Sequence, residues 1–353
     1  MNVKQIVGTV GLIGLVSSNL SLAEVVDKEA WLKQLEAQRL LQGVTLSGLI
    51  QIEGQYRQDY NDIDSSDIVV DEVDLGIAAQ LNQWIKAEAV LIYEEGATPL
   101  EFDEAKVTLG NPEASPLYLT AGQMYVPFGN FESLMVSDSL PLMLAETREK
   151  AAQLGFETGS LSGSVYIFNG STQNDGNDTI DHYGGNLVFS QEGETFSYEV
   201  GINYISDMGD SDTLGDALEE VNDYDYVEGI GGYLNLNFGP VSLFGEYITA
   251  LDEFSAEHIN FKGDGAQPTA WNLEAGYTMN FGYETTFGLA YQGTEEALGL
   301  ELPKTRLLGL ISVGLDDNTS LSFEYAISED YDENDGGSGE DAQSAIVQLA
   351  VEF

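Results

Sequence analysis

From Val44 onward, apolar and polar residues alternate with a period of two. Val44, Leu46, Gly48, Ile50, Ile52, Gly54 and Tyr56 share one face, while Thr45, Ser47, Leu49, Gln51, Glu53, Gln55 and Arg57 share the other. Successive side chains of a strand point to opposite sides, so this run predicts a strand with one greasy and one polar side. The same split recurs further along, where Trp271, Leu273, Ala275, Tyr277, Met279 and Phe281 oppose Asn272, Glu274, Gly276, Thr278 and Asn280. Sixteen such segments are predicted: 44–57, 68–81, 84–94, 103–109, 117–127, 151–157, 160–169, 182–191, 195–205, 226–238, 241–250, 269–281, 283–293, 304–315, 319–328 and 342–353.

The connections sort by length. Long ones at 58–67, 128–150, 170–181, 206–225, 251–268, 294–303 and 329–341 alternate with short turns such as Asn82-Gln83, Thr158-Gly159, Gly239-Pro240, Gly282 and Asp316-Asp317-Asn318. Short turns at one end, long loops at the other and an even strand number predict an all-β fold. The fold is a transmembrane antiparallel up-and-down β-barrel of about sixteen strands. A soluble β-sandwich has no reason to sort its loops in this way. Aromatic residues agree with the barrel. Tyr56, Tyr93, Tyr125, Tyr204, Tyr247, Tyr291 and Tyr325 sit near one end of the strands' apolar face, and Phe238, Phe281, Tyr283 and Phe353 near the other, as interfacial girdles do. The last strand alternates through Ala345, Val347, Leu349 and Val351 to a terminal Phe353, which reads as an outer-membrane assembly signal.

The first residues differ in kind. A basic start at Lys4, an apolar run from Ile6 to Val16 and the small-x-small Ser21-Leu22-Ala23 predict a signal peptide over 1–23, cleaved after Ala23. Residues 24–43 are rich in helix formers and end on Gly43, predicting a short N-terminal periplasmic helix, either a simple lead-in or a plugging or oligomerising element. The barrel then occupies 44–353. No later stretch has the roughly 18 apolar residues of a membrane-spanning helix. The expected location is the bacterial outer membrane, with outer-membrane lipid around the chain and the barrel assembly machinery as a partner.

Composition narrows the function. Sixty acidic against twelve basic residues give a net charge of −48, which makes nucleic acid a poor partner. The 43% hydrophobic and 10% aromatic content is enough for an ordered structure despite that acidity. Cysteine is absent, which removes disulfides, thiolate metal sites and cysteine nucleophiles. His182 and His258 both fall in loop-like contexts and read as solvated. No nucleophile elbow, P-loop or zinc-binding helix occurs, so the chain does not read as an enzyme and no cofactor is assigned. The loops Asp207 to Asp216 and Asp330 to Asp341 offer oxygen ligands for Ca²⁺ or Mg²⁺, but neither fits the twelve-residue calcium loop. They read as a solvated acidic rim, and no metal site is assigned.

Arg57, Lys86, Lys106, Lys304 and Arg306 all fall on the polar parity of their strands, as the cost of a charge facing lipid requires. First and last strands of a barrel adjoin, so these residues are expected on one lumen wall. The loop 128–150 carries Glu132, Asp138, Glu146, Arg148, Glu149 and Lys150. Folded inward, it would set an acidic loop against a basic wall and create a transverse field at a constriction. The alternative is plain solvation of the lumen.

The stretch from Ala121 to Ser133, Gly-Gln-Met-Tyr-Val-Pro-Phe-Gly-Asn-Phe-Glu at its heart, continues through Asp138, Leu144-Ala145-Glu146-Thr147-Arg148-Glu149 and Gly155-Phe156-Glu157. It resembles the LbtU family of siderophore porins, and the likeness extends over the signal peptide, the short helix and the barrel. The resemblance implies an outer-membrane channel for a small iron chelate, a ferric siderophore, working without a plug domain. It carries Pro127, Phe128, Gly129, Asn130, Glu132, Glu146, Thr147, Arg148 and Glu149 over as pore-loop positions. A general diffusion porin with cation preference is the competing expectation.

Overall fold

A computed structural model describes residues 43–170, 179–193, 195–218 and 225–353. The signal peptide 1–23 and the helix expected at 24–43 lie outside the described residues, Gly43 excepted. Sixteen antiparallel strands close into one barrel. In chain order they are β1 (Val44–Gln58), β2 (Asp64–Asn82), β3 (Ile85–Tyr93), β4 (Glu101–Gly110), β5 (Leu117–Tyr125), β6 (Arg148–Thr158), β7 (Leu161–Phe168) and β8 (His182–Gln191). They continue as β9 (Phe196–Ile205), β10 (Gly229–Phe238), β11 (Val241–Ala250), β12 (Thr269–Asn280), β13 (Glu284–Glu295), β14 (Thr305–Asp316), β15 (Thr319–Glu329) and β16 (Asp341–Glu352). Each strand pairs with its chain neighbours, and β1 meets β16 from Leu49↔Glu352 to Gln58↔Gln343. Closure leaves no edge strand with unpaired backbone groups.

The period of two decides which side chains face outward. Leu46, Ile52, Leu154, Ile202, Leu273, Leu289 and Phe323 are exposed on the outside, as are the girdle residues Tyr56, Tyr247, Tyr291, Phe238, Phe281 and Phe353. An apolar belt of this extent belongs in hydrocarbon rather than water. The opposite parity buries polar groups: Glu53, Asn235, Glu246, Asn272, Glu274, Gln292, Glu324 and Gln348 are all shielded inside.

The hydrophobic core lies inside the barrel, between its loops. Phe128, Leu140 and Leu144 of the β5–β6 loop pack with Met208, Leu214, Phe254, Ile259 and Leu300 from later loops. Two short helices shape it, α1 (Leu140–Ala145) in the β5–β6 loop and α2 (Asp212–Leu218) after β9. Ser139 caps α1 by accepting a hydrogen bond from the Leu142 amide, with Pro141 in the first turn.

Several boundaries differ from the sequence reading. The first loop shrinks from 58–67 to five residues, because β1 runs to Gln58 and β2 begins at Asp64. The Asp59 carboxylate accepts the amides of Asn61 at 2.8 Å and Ile63 at 2.9 Å, building a tight turn that hydrophobic periodicity does not register. Arg148, Glu149 and Lys150 open β6 rather than closing the loop. His182 is no solvated loop residue: it opens β8 with its side chain buried. His258 lies in a loop turn, partly buried.

Candidate functional site

The loop joining β5 to β6 leaves the wall abruptly and crosses the lumen. Pro127 sits in a three-residue turn, with the Phe128 amide bonded to the Val126 carbonyl at 2.7 Å. Gly129 follows at φ 90°, a conformation only glycine takes readily, and a side chain there would overlap the Phe131 ring. From this corner the chain runs along the inner face of β10 to β15.

Three buried glutamates fasten it there. Glu246 of β11 accepts the amides of Asn130 at 2.7 Å and Phe131 at 2.9 Å. Glu274 of β12 accepts the Ser133 hydroxyl at 2.7 Å and the Leu134 amide at 2.8 Å. Glu324 of β15 accepts the Val136 amide at 2.6 Å and the Ser137 hydroxyl at 2.5 Å. Gln292 adds a bond from the Leu140 amide at 3.2 Å, and Arg306 donates to the Asp138 carbonyl while holding the Gln292 side chain. Charge-assisted bonds to a carboxylate are each worth about 1.5–3 kcal/mol. The fastening is therefore strong enough to hold a segment that makes few backbone bonds of its own.

With the loop against β10–β15, the open volume lies on the other side. A space of about 790 Å³ separates Val136, Ser137, Asp138 and Met143 from the wall of β1, β2 and β16. Arg57 and Arg306 line it together with Glu53, Asp71, Glu72, Glu94 and Asp138. A second space of about 370 Å³ lies along β1–β4, lined by Ser47, Lys86, Glu88 and Glu104. Both spaces lie on the β1–β4 side of the lumen, and in the larger one acids outnumber guanidiniums.

The residues singled out from sequence occupy distinct places. Asn130 and Glu132 both accept from the Asn235 amide group, at 2.8 and 2.7 Å. Thr147 is buried and its carbonyl takes the Val126 amide, pinching the loop's base. Asp138, Glu146 and Arg148 line a common space of about 250 Å³, with Asp103 and Tyr125 beside them. The Arg148 guanidinium pairs with Glu101 at 2.8 Å and Asp103 at 3.0 Å, at the loop end of β4. Glu149 sits half-buried across from Met124.

The basic residues expected on one lumen wall are spread over β1, β3, β4 and the start of β14. Arg57 and Arg306 flank the opening. Lys86 pairs with Glu88 at 2.5 Å and Lys106 with Glu104 at 2.6 Å, so both are neutralised locally on β3 and β4. Lys304 precedes β14 and pairs with Asp332 of the outer loop at 2.6 Å. Glu246, Glu274 and Glu324 escaped the sequence reading. Their signal was an acidic residue on the polar parity near the middle of a strand, where solvation alone gives little reason for it.

No family model matches the chain. It is 29% identical over 316 residues to a UPF0422 protein of Coxiella burnetii, covering 86% of this chain and 68% of that one. UPF0422 proteins of Legionella pneumophila are 28% identical over 318 residues, and this chain spans 59% of their length. Among solved structures, an anion-selective porin from Comamonas acidovorans superposes with a TM-score of 0.61 at 14% identity, over 88% of this chain and 99% of that one. OprB of Pseudomonas putida gives 0.61 at 13% identity over 91% and 97%, and the outer membrane channel DcaP of Acinetobacter baumannii 0.58 at 12% over 88% and 97%. The fold is that of the outer-membrane porins.

Proposed function

We propose that this protein is an outer-membrane channel through which small hydrophilic solutes diffuse along the β1–β4 side of the lumen. The observation that carries the reading is the loop pinned across the barrel by Glu246, Glu274 and Glu324, which leaves a polar opening between it and β1, β2 and β16. A fastened loop sets a fixed cross-section, which is what a sieving channel needs. Outer-membrane lipid surrounds the apolar belt, and Phe353 serves the assembly machinery as the closing signal.

The finer reading is passage of a ferric siderophore. The resemblance at 121–157 supports it, as does an opening that sets Arg57 and Arg306 against carboxylates, a field that aligns chelates carrying both charge and dipole. The excess of acids at the same opening favours a second reading, a general porin with cation preference. Two measurements separate them. Single-channel recordings in planar bilayers give conductance and ion preference, and a barrel that does not conduct overturns the channel reading. Uptake of labelled ferric siderophores by a deletion strain under iron limitation tests the finer one. Restoration by the gene supports it, whereas unchanged uptake leaves a general porin.

A further inference from the structure

We infer that His182, Asp207 and Asp210 bind a divalent first-row transition ion of the Zn²⁺ type, which staples the outer loop after β9 to the start of β8. His182 opens β8, and the two aspartates follow β9, which pairs with β8 up to Gly184↔Ile205. All three are buried, at 2%, 0% and 5% exposure, and one ligand atom from each lies within 4.8 Å of the other two.

The imidazole poses the chemical question. Its Nδ1 is buried and makes no hydrogen bond to any described residue, yet it points at Asp210 Oδ2, 3.5 Å away, and Asp207 Oδ2, 3.9 Å away. These gaps are too long for good hydrogen bonds, which favour about 2.7–3.2 Å. They suit ligands that share an ion. Bonds of about 2.0–2.1 Å in tetrahedral geometry put neighbouring ligand atoms roughly 3.3 Å apart. On the far side of the ring, Nε2 faces Asp181 Oδ1 at 3.4 Å. With the hydrogen on Nε2, facing that carboxylate, the Nδ1 lone pair is aimed at two negative oxygens. A dication between them turns that repulsion into coordination, and Asp181 takes the usual place of the carboxylate behind a metal-bound histidine.

The surroundings fix the geometry. Asp207 Oδ1 accepts the amides of Gly209 at 3.0 Å and Val227 at 3.2 Å, which turns Oδ2 toward the imidazole. Phe168 stacks on the ring at 5.2 Å, and Tyr226 covers it at 4.5 Å. An imidazole donor argues against Ca²⁺ and Mg²⁺, which prefer all-oxygen sites. Two carboxylates and a neutral imidazole balance a charge of plus two. The same loop then bonds α1, through Ser211 Oγ to the Leu144 carbonyl at 2.8 Å and Thr213 Oγ1 to the Met143 carbonyl. The ion would stiffen the roof over the constriction loop.

The test uses the full-length protein, stripped with chelator and dialysed against Zn²⁺ or Co²⁺. The expected result is one Zn²⁺ per folded chain and, for Co²⁺, the intense visible absorption of a tetrahedral site. Asp210→Asn should weaken binding at least tenfold, and Asp181→Asn by about 10–100-fold. Asp330→Asn in the other acidic loop should leave binding unchanged. Gel migration before and after boiling reports that each variant is folded. A folded parent that retains no Zn²⁺ overturns the inference. Equal binding by parent and Asp210→Asn overturns it as well.

Discussion

The ring of Phe353 lies on the backbone of Gly48, across the seam where the last strand meets the first. The two residues exchange both backbone hydrogen bonds, at 2.8 and 3.0 Å, and a methyl group built on Gly48 would overlap the ring. Gly48→Val should therefore displace Phe353 and weaken closure. Phe353→Ala should do so by losing the ring's cover. Both variants should show less of the fast-migrating, heat-modifiable band in outer membranes. Parental amounts of that band in both would mean the seam does not govern assembly.

The three glutamate anchors predict a graded loss of sieving. Glu324→Ala leaves the Val136 amide and Ser137 without their acceptor and should cost roughly 3 kcal/mol or more locally. Single-channel conductance should rise and the size limit for neutral sugars should relax, most in the Glu274→Ala, Glu324→Ala double variant. Gln at either position should fall between, since its amide group keeps one acceptor and turns a donor toward donors. Unchanged conductance in the double variant would show that the loop is held by its apolar contacts alone.

Ion selectivity should depend on position within the basic set. Arg57→Glu and Arg306→Glu place a new negative charge at the opening, whereas Lys304→Glu places one at the outer loops beside Asp332. Screening over about 10 Å at 0.1 M salt weakens the rim charge but not one inside the constriction. Reversal potentials should shift further toward cations in the first two, and equal shifts in all three would contradict this placement of the opening.

Acidification should erode cation preference early. Asp138 reaches lumen water, yet protein encloses it, and that enclosure holds its carboxyl above the ordinary aspartate value, with Arg306 opposing the rise. A raised carboxyl takes up its proton at a higher pH than a free one. Selectivity recorded as pH falls should decline before exposed carboxylates titrate, and Asp138→Asn should make that early decline smaller.

Strand existence and facing were legible because a closed barrel exposes one side of every strand to hydrocarbon, which writes the period of two directly into residues such as Leu273 and Glu274. The inward loop was legible only at its corner, through Pro127 and Gly129. What remained hidden was pairing across distance. Glu246 meets Asn130 over more than a hundred residues of chain, and nothing local marks a buried glutamate as an anchor rather than a solvated lumen charge. Local ion pairing is hidden for the same reason: Glu88, Glu104 and Asp332 absorb the charge of Lys86, Lys106 and Lys304, which parity alone does not announce.

The anchors grip mostly main-chain amides, and a main-chain amide is present whichever side chain follows it. Leu134 and Val136, bonded through their amides, can therefore change side chain, proline aside, without losing those bonds, whereas Asn130, Glu132, Ser133 and Ser137 also bond the wall through their side chains. What the barrel conserves mechanically is the course of the loop, and what it leaves open is the set of side chains that course presents to a passing solute. Retuning which molecules pass then requires substitutions in one short segment, while the sixteen strands that hold it stay as they are.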